Sequence, residues 1–288
     1  MRARNVVAGV AVLAATLPAC GQSMHSPDGA TSPPARDLSK YLVDRGVHPP
    51  APKSKEPVPI STEAIVEKLL AASARRSAQL RGFRGTRQYN LQYRGLFGTR
   101  EATMQVLATY TAPDQRNFQV IAQTGSKLLL NRVLLKLLDS ERDALRNQKQ
   151  VELSPANYDF NLLGTERLET GVDCYVLSVK PRKNNQFLYQ GKIWVDASDF
   201  AVARMEGQPA KSPSFWVKDT AIDSNWAKLG DFWLIKHNRS ISHIRMGGMA
   251  TLNIDYTDYQ ITGVDHRAKP SQGQQSVLPD PSSVTPQR

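Results

Sequence analysis

FLYQGKIWVDASDFAVARMEGQP, residues Phe187 to Pro209, reads as two short strands meeting at a tight turn, Asp196-Ala-Ser-Asp199. The first arm sets Tyr189, Ile193 and Val195 on one face and Leu188, Lys192 and Trp194 on the other, the period of two that a strand imposes. The second arm alternates Phe200 and Val202 against Ala201, Ala203 and Met205. Apolar groups therefore stand on both faces of the hairpin. An antiparallel sheet with one face in water carries polar residues at every second position, so this one is covered on both sides or lines something apolar.

Outward from the hairpin the strand pattern continues. Toward the C-terminus it predicts strands over Ser214 to Asn225, Asp231 to Ile244 and Met249 to Ile261. Toward the N-terminus it predicts Val172 to Lys180 and Tyr158 to Leu168, and further back Arg116 to Thr124, Glu101 to Thr111 and Phe83 to Leu96, with turn signals such as Pro113-Asp114 between them. Two helices interrupt the pattern. Ser61 is a fitting N-cap for a helix carrying Ile65, Val66, Leu69, Leu70 and Ala74 and ending near Leu80 to Gly82. Ser126 to Asn147 is so rich in leucine that it is expected to be buried nearly all round. About ten strands in a meander tend to curl. The fold class expected is α+β, a curved, half-open antiparallel β-barrel of about ten strands with helices covering the concave face.

The 288 residues divide by composition into 1–20, 21–60, 61–263 and 264–288. Arg2 and Arg4 before the apolar run Val6 to Leu17 make a secretory signal, too short to span a membrane. It ends in Leu17-Pro-Ala-Cys20, which resembles the lipobox of bacterial lipoproteins, so Cys20 is the expected lipidation site and membrane anchor; ordinary signal cleavage is the alternative. Gly21 after the cysteine favours the outer membrane, facing the periplasm, over a soluble periplasmic chain. Residues 21–60 form a Pro-rich tether with an r.m.s. span of roughly 35 Å, and residues 264–288 a polar tail. With Cys20 modified, Cys174 has no partner and reads as a small buried hydrophobe.

The order helix, three strands, helix, long meander, together with Cys174-Tyr-Val-Leu-Ser-Val-Lys-Pro181, Lys192-Ile-Trp-Val-Asp196 and Phe200-Ala-Val-Ala-Arg204, resembles the periplasmic lipoprotein carriers of the LolA/LolB-like superfamily. The resemblance covers most of Ser61 to Gly263. It implies a half-barrel whose cavity binds acyl chains of a lipid or lipoprotein, for lipoprotein or lipid transport and sorting. Envelope-stress regulators of the RseB/MucB kind share the fold, so a regulatory module with an envelope protein partner is the alternative.

Catalytic patterns are poor: no HExxH, GxSxG or Walker glycines occur. No enzyme activity, metal or cofactor is expected. His237 and His243 fall on one strand face roughly 20 Å apart, too far to share an ion. Asp219 with Asp223 and Asp255 with Asp258 are the carboxylate pairs to consider, and turn or edge positions explain them equally. Asn238-Arg-Ser240 matches a glycosylation sequon. The candidates for a hydrophobic ligand site are Met104, Val106, Tyr110, Phe118, Val120, Trp194, Trp216 and Trp233 on strands, with Leu130, Leu134 and Leu138 on a helix expected to act as a movable lid. The net charge of +11 suits anionic partners; export disfavours nucleic acid. Arg75, Arg76, Arg81, Arg84 and Arg87, in a basic run extending to Arg94 and Arg100, are either a solvated face or a docking patch for acidic headgroups.

Overall fold

The computed structural model describes residues 60–265, apart from 97, 113–114, 147–151, 186, 213–214, 216 and 246. The chain enters helix α1 (Thr62–Gln79), capped by Ser61, whose Oγ accepts from the N–H of Ala64. It then forms β1 (Leu80–Gly95), β2 (Gly98–Thr111) and β3 (Gln115–Gly125). Helix α2, residues 127–146, comprises Lys127–Leu129, a π-helical turn at Leu130–Leu134 and Leu135–Arg146. Seven strands follow: β4 (Tyr158–Arg167), β5 (Asp173–Pro181), β6 (Tyr189–Asp196), β7 (Val202–Pro209), β8 (Val217–Leu229), β9 (Phe232–Ile244) and β10 (Met249–Val264).

All ten strands join one antiparallel sheet in the order β3-β2-β1-β10-β9-β8-β7-β6-β5-β4. The last strand pairs with the first, so only β3 and β4, the two joined through α2, remain edges. A flat sheet of this width would hold its edges about 43 Å apart at the usual strand spacing. Arg116 on β3 and Tyr158 on β4 nevertheless line one small cavity. The sheet is therefore curved and unclosed, in keeping with a half-open barrel.

Register defines its faces, because directly paired residues point the same way. Leu162, Leu177, Ile193, Met205, Ser224, Asn238, Ile254, Tyr89, Met104 and Gln123 are successive partners from β4 to β3 and share one face. Both helices pack on that face. Ile65, Val66 and Leu69 of α1 are buried with Leu177, Ile193, Val195 and Met205. Leu129, Leu130, Val133, Leu134, Leu137 and Leu138 of α2 are buried with Tyr89, Met104, Val106 and Ile254.

Two expectations are corrected. The hairpin register shifts between Trp194 and Val195, so Val202 opposes Val195 while Met205 opposes Ile193. This bulge puts Val202 and Met205 in the same core, where strict alternation sets them on opposite faces. Helix α2 is likewise one-sided: Asn131, Arg132, Lys136 and Asp139 are exposed, as is Leu128. A π turn adds a residue to one turn and turns successive leucines onto one stripe. The other face of the hairpin is covered too. There Trp194 packs with Cys174, Val176 and Ala203, and the Arg204 guanidinium lies 4.9 Å from its ring centre. Burial pushes the Cys174 thiol up to about 12, with Asp196 and Asp173 adding to the shift.

Candidate functional site

Between α1 and the helix-bearing face of the sheet lies a cavity of about 140 Å³. Helix α1 contributes Leu69, Ser73, Arg76 and Ser77, at i, i+4, i+7 and i+8 on one face. The sheet contributes Ile193, Val202, Met205, Trp226 and Phe232 as an apolar floor, with Phe187 alongside. Tyr158, Tyr189, Tyr256 and Tyr259 add ring surface with polar tips. The space approaches that of engineered apolar cavities of about 150 Å³, which stay dry and hold a benzene-sized guest.

Local geometry holds this wall in place. Gly207 lets the Tyr189 ring cross β7: a Cβ there would meet the Gln190 carbonyl and stand 2.7 Å from the ring. The Tyr189 hydroxyl donates to the Lys192 carbonyl at 2.8 Å, and its N–H donates to the Tyr158 hydroxyl at 3.3 Å. Burial pushes Tyr158 and Tyr259 up to about 12 and Tyr189 well above its ordinary value. The buried part of α1 ends with Ala72 and Ser73. Beyond it the Arg76 guanidinium donates to the carbonyls of Asp199 (2.9 Å) and Phe200 (3.0 Å) in the β6–β7 turn. That turn is itself fixed by Asp196 Oδ1, which accepts from the N–H groups of Ser198 and Asp199.

At another part of the wall, Arg87 donates to both Glu141 oxygens, at 2.7 and 3.2 Å, and Arg116 approaches the same carboxylate at 3.5 Å. The side chains of all three are less than a tenth exposed. Burial works against the charge on Arg87, but the attraction and hydrogen bond of Glu141, joined by Tyr89 and Tyr256, together outweigh it and raise the pKa well above the ordinary value. On Arg116 burial prevails and lowers it.

The residues singled out in the sequence are distributed differently. Trp233 lines the cavity, its indole N–H donating to Asp199 at 3.0 Å. Met104, Val106, Phe118, Leu130, Leu134 and Leu138 come together, but as close-packed side chains between α2 and the sheet. Helix α2 supplies none of the described cavity lining, which departs from its expected role as a lid. Tyr110 packs with Phe83 and Leu80, Val120 is 36% exposed, Trp194 is on the opposite face, and Trp216 lies outside the described residues. The arginines do not form one patch. Arg75, Arg81 and Arg84 are exposed, with Arg81 paired to Asp265 and Arg84 bonded to Gln260. Arg76 and Arg87 line the cavity.

Among the described residues no group of three or more His, Cys, Asp or Glu side chains is placed to hold a metal. Each histidine of β9 has an aspartate on a neighbouring strand, His237 with Asp255 and His243 with Asp219. Asp223 is held by Arg204 at 2.8 Å. The aspartates considered as acid and base pairs thus turn to other partners.

No protein-family model matches the chain, and no curated protein matches it. Among solved structures it is similar to a DUF1329 family protein from Desulfovibrio piger (TM-score 0.36, 14% identity, 70% of this chain and 93% of the other). It is also similar to an outer membrane lipoprotein-sorting protein domain from Vibrio parahaemolyticus (0.34, 11%, 71% and 95%). A third is a LolA superfamily protein from Nitrosomonas europaea (0.29, 15%, 72% and 96%). The chain's own element order is helix, three strands, helix, seven-strand meander. Likenesses at these TM-scores carry no argument about ligand or role, which rest on the cavity itself.

Proposed function

We propose that this chain is a non-enzymatic envelope protein that shelters the acyl chain of a lipid or lipoprotein, for its transport or sorting. The observation that carries the reading is the partly open, mainly apolar space under α1, with a few fixed polar groups on its wall, the composition of small-molecule sites. In this reading the face shared by α1 and α2 is concave and the helices cover it. The volume suits part of one chain, so a longer chain enters as the second half of α1 lifts. The anchor is Cys20, outside the described residues, which carries a lipid and holds the domain at the outer membrane.

Two measurements test this. A hydrophobic fluorophore should bind the full chain in the presence of chelator and be displaced by acyl ligands, and mass spectrometry should find a lipid co-purified with the protein. Failure of every apolar probe to bind overturns the binding reading. For the anchor, Cys20→Ala should move the chain to the soluble fraction; an unmodified Cys20 in the wild-type protein rules the anchor out.

A further inference from the structure

The cavity wall carries polar groups that an apolar chain alone leaves unused. Arg116 is the clearest. Its side chain is 9% exposed, and among the described residues its ion-pair contact is Glu141 at 3.5 Å, a carboxylate already gripped through both oxygens by Arg87. The rings of Tyr110, 5.6 Å from Arg116, and of Phe118, 4.8 Å from Arg87, stabilise guanidinium charge but accept no strong hydrogen bond. Ser73 is the second. It is 3% exposed, its Oγ has no hydrogen-bond partner among the described residues, and it lies on the α1 face that lines the cavity. A buried donor left unmatched is costly, as is a buried cation short of anionic partners. A ligand that brings anionic oxygens relieves both.

We propose that the ligand is a single-chain amphiphile with an anionic oxygen head, carboxylate or phosphate, received by Arg116 beside the Arg87–Glu141 pair. Its chain lies along Leu69, Val202, Met205 and Trp226. The inference rests on the acyl-binding reading above and deepens it. A guanidinium and an anionic oxygen head match in geometry and make charge-assisted hydrogen bonds, and a cavity of about 140 Å³ selects one chain over two or three.

The test uses the full chain and displacement of the bound fluorophore by a long-chain fatty acid, the monoacyl phosphate and the alcohol of the same length. The acid or the phosphate should bind about tenfold tighter than the alcohol, the fold-change expected of a charge-assisted hydrogen bond. Which of the two wins tells whether the head is that of a free fatty acid or of a single-chain phosphate lipid such as a lysophospholipid. Arg116→Gln should reduce the preference to about threefold or less by weakening the acid and the phosphate more than the alcohol, and Arg116→Lys, which keeps the charge but not the planar fork, should restore part of it. If Arg116→Gln does not fold, Ser73→Ala provides the second reading, with acid affinity falling about threefold and alcohol affinity falling less. Equal binding of acid, phosphate and alcohol by the wild-type chain overturns the proposal, as does an undiminished preference in the folded variants. Fluorophore binding that none of the three displaces overturns this proposal alone, whereas no binding at all removes the acyl-binding reading with it.

Discussion

Tyr158 and Glu141 show how single side chains couple the cavity wall to stability. The Tyr158 hydroxyl accepts from the Tyr189 N–H, and burial raises its pKa from 10 to about 12. With the folded value above the unfolded one, the native state keeps the proton longer, so this contribution is whole below about pH 10 and is lost as pH rises through 12. A shift of that size is worth on the order of 2 to 3 kcal/mol. Urea melts at rising pH should show stability falling across this window, and Tyr158→Phe should flatten the fall. The same variant should lose about 1 to 3 kcal/mol at neutral pH, because the Tyr189 N–H loses its acceptor. Glu141→Ala strands Arg87 in a buried setting, where loss of one ion-pair partner costs about 3 to 5 kcal/mol. A loss under 1 kcal/mol by denaturant unfolding would show that water reaches Arg87 and that its pairing is dispensable.

The two helices sit on one face of the sheet but are held by different means, and they should respond differently. Leu134 is fully buried in α2 among Met104, Val106 and Ile254. Leu134→Ala should therefore cost about 2 to 5 kcal/mol, with apolar-probe affinity unchanged in the folded fraction because α2 supplies none of the described lining. Helix α1 is packed through Ile65, Val66 and Leu69, whereas its last turns are tied to the β6–β7 turn by Arg76. Arg76→Ala should speed amide exchange over residues 74–79 and probe uptake, while Ile65 stays protected; uniform exchange along α1 would refute a separately released end. These elements also show what the sequence disclosed. Helix and strand positions were legible because period-two and helical spacing depend on burial of one face, and Pro and Gly mark the turns. The bulge at Val195 was not, since it follows from pairing across strands. Nor was the cavity. Aromatic strand residues pointed to it, yet most pack into cores, while the groups on its wall include Ser73 and Arg76, polar residues continuing the apolar stripe from Leu69. That break in an otherwise apolar helix face is the signal that could have found it.

The strand order makes the sheet depend on its most distant parts. Strand β10 lies between β1 and β9, pairing from Leu80 with Val264 to Arg94 with Met249. Residues more than 150 positions apart must therefore meet before β1 to β3 can join the rest, and such non-local pairing slows folding through loop-closure entropy. Strand β10 also supplies Leu252, Ile254 and Tyr256 to the core under α2, and Tyr256 to the cavity wall beside Arg87. A chain ended at Gly248 should for this reason lose more than one strand: β1 and β9 become unpaired edges, the α2 core opens, and the wall near Arg87 is breached. Far-UV circular dichroism should show no cooperative thermal transition, and proteolysis should cut within residues 80–125. A cooperative melt in the truncated chain would mean that β4 to β9 with α1 is an independent folding unit. The half-barrel would then be assembled from two parts that do not need one another to fold, and the cavity between them would form last.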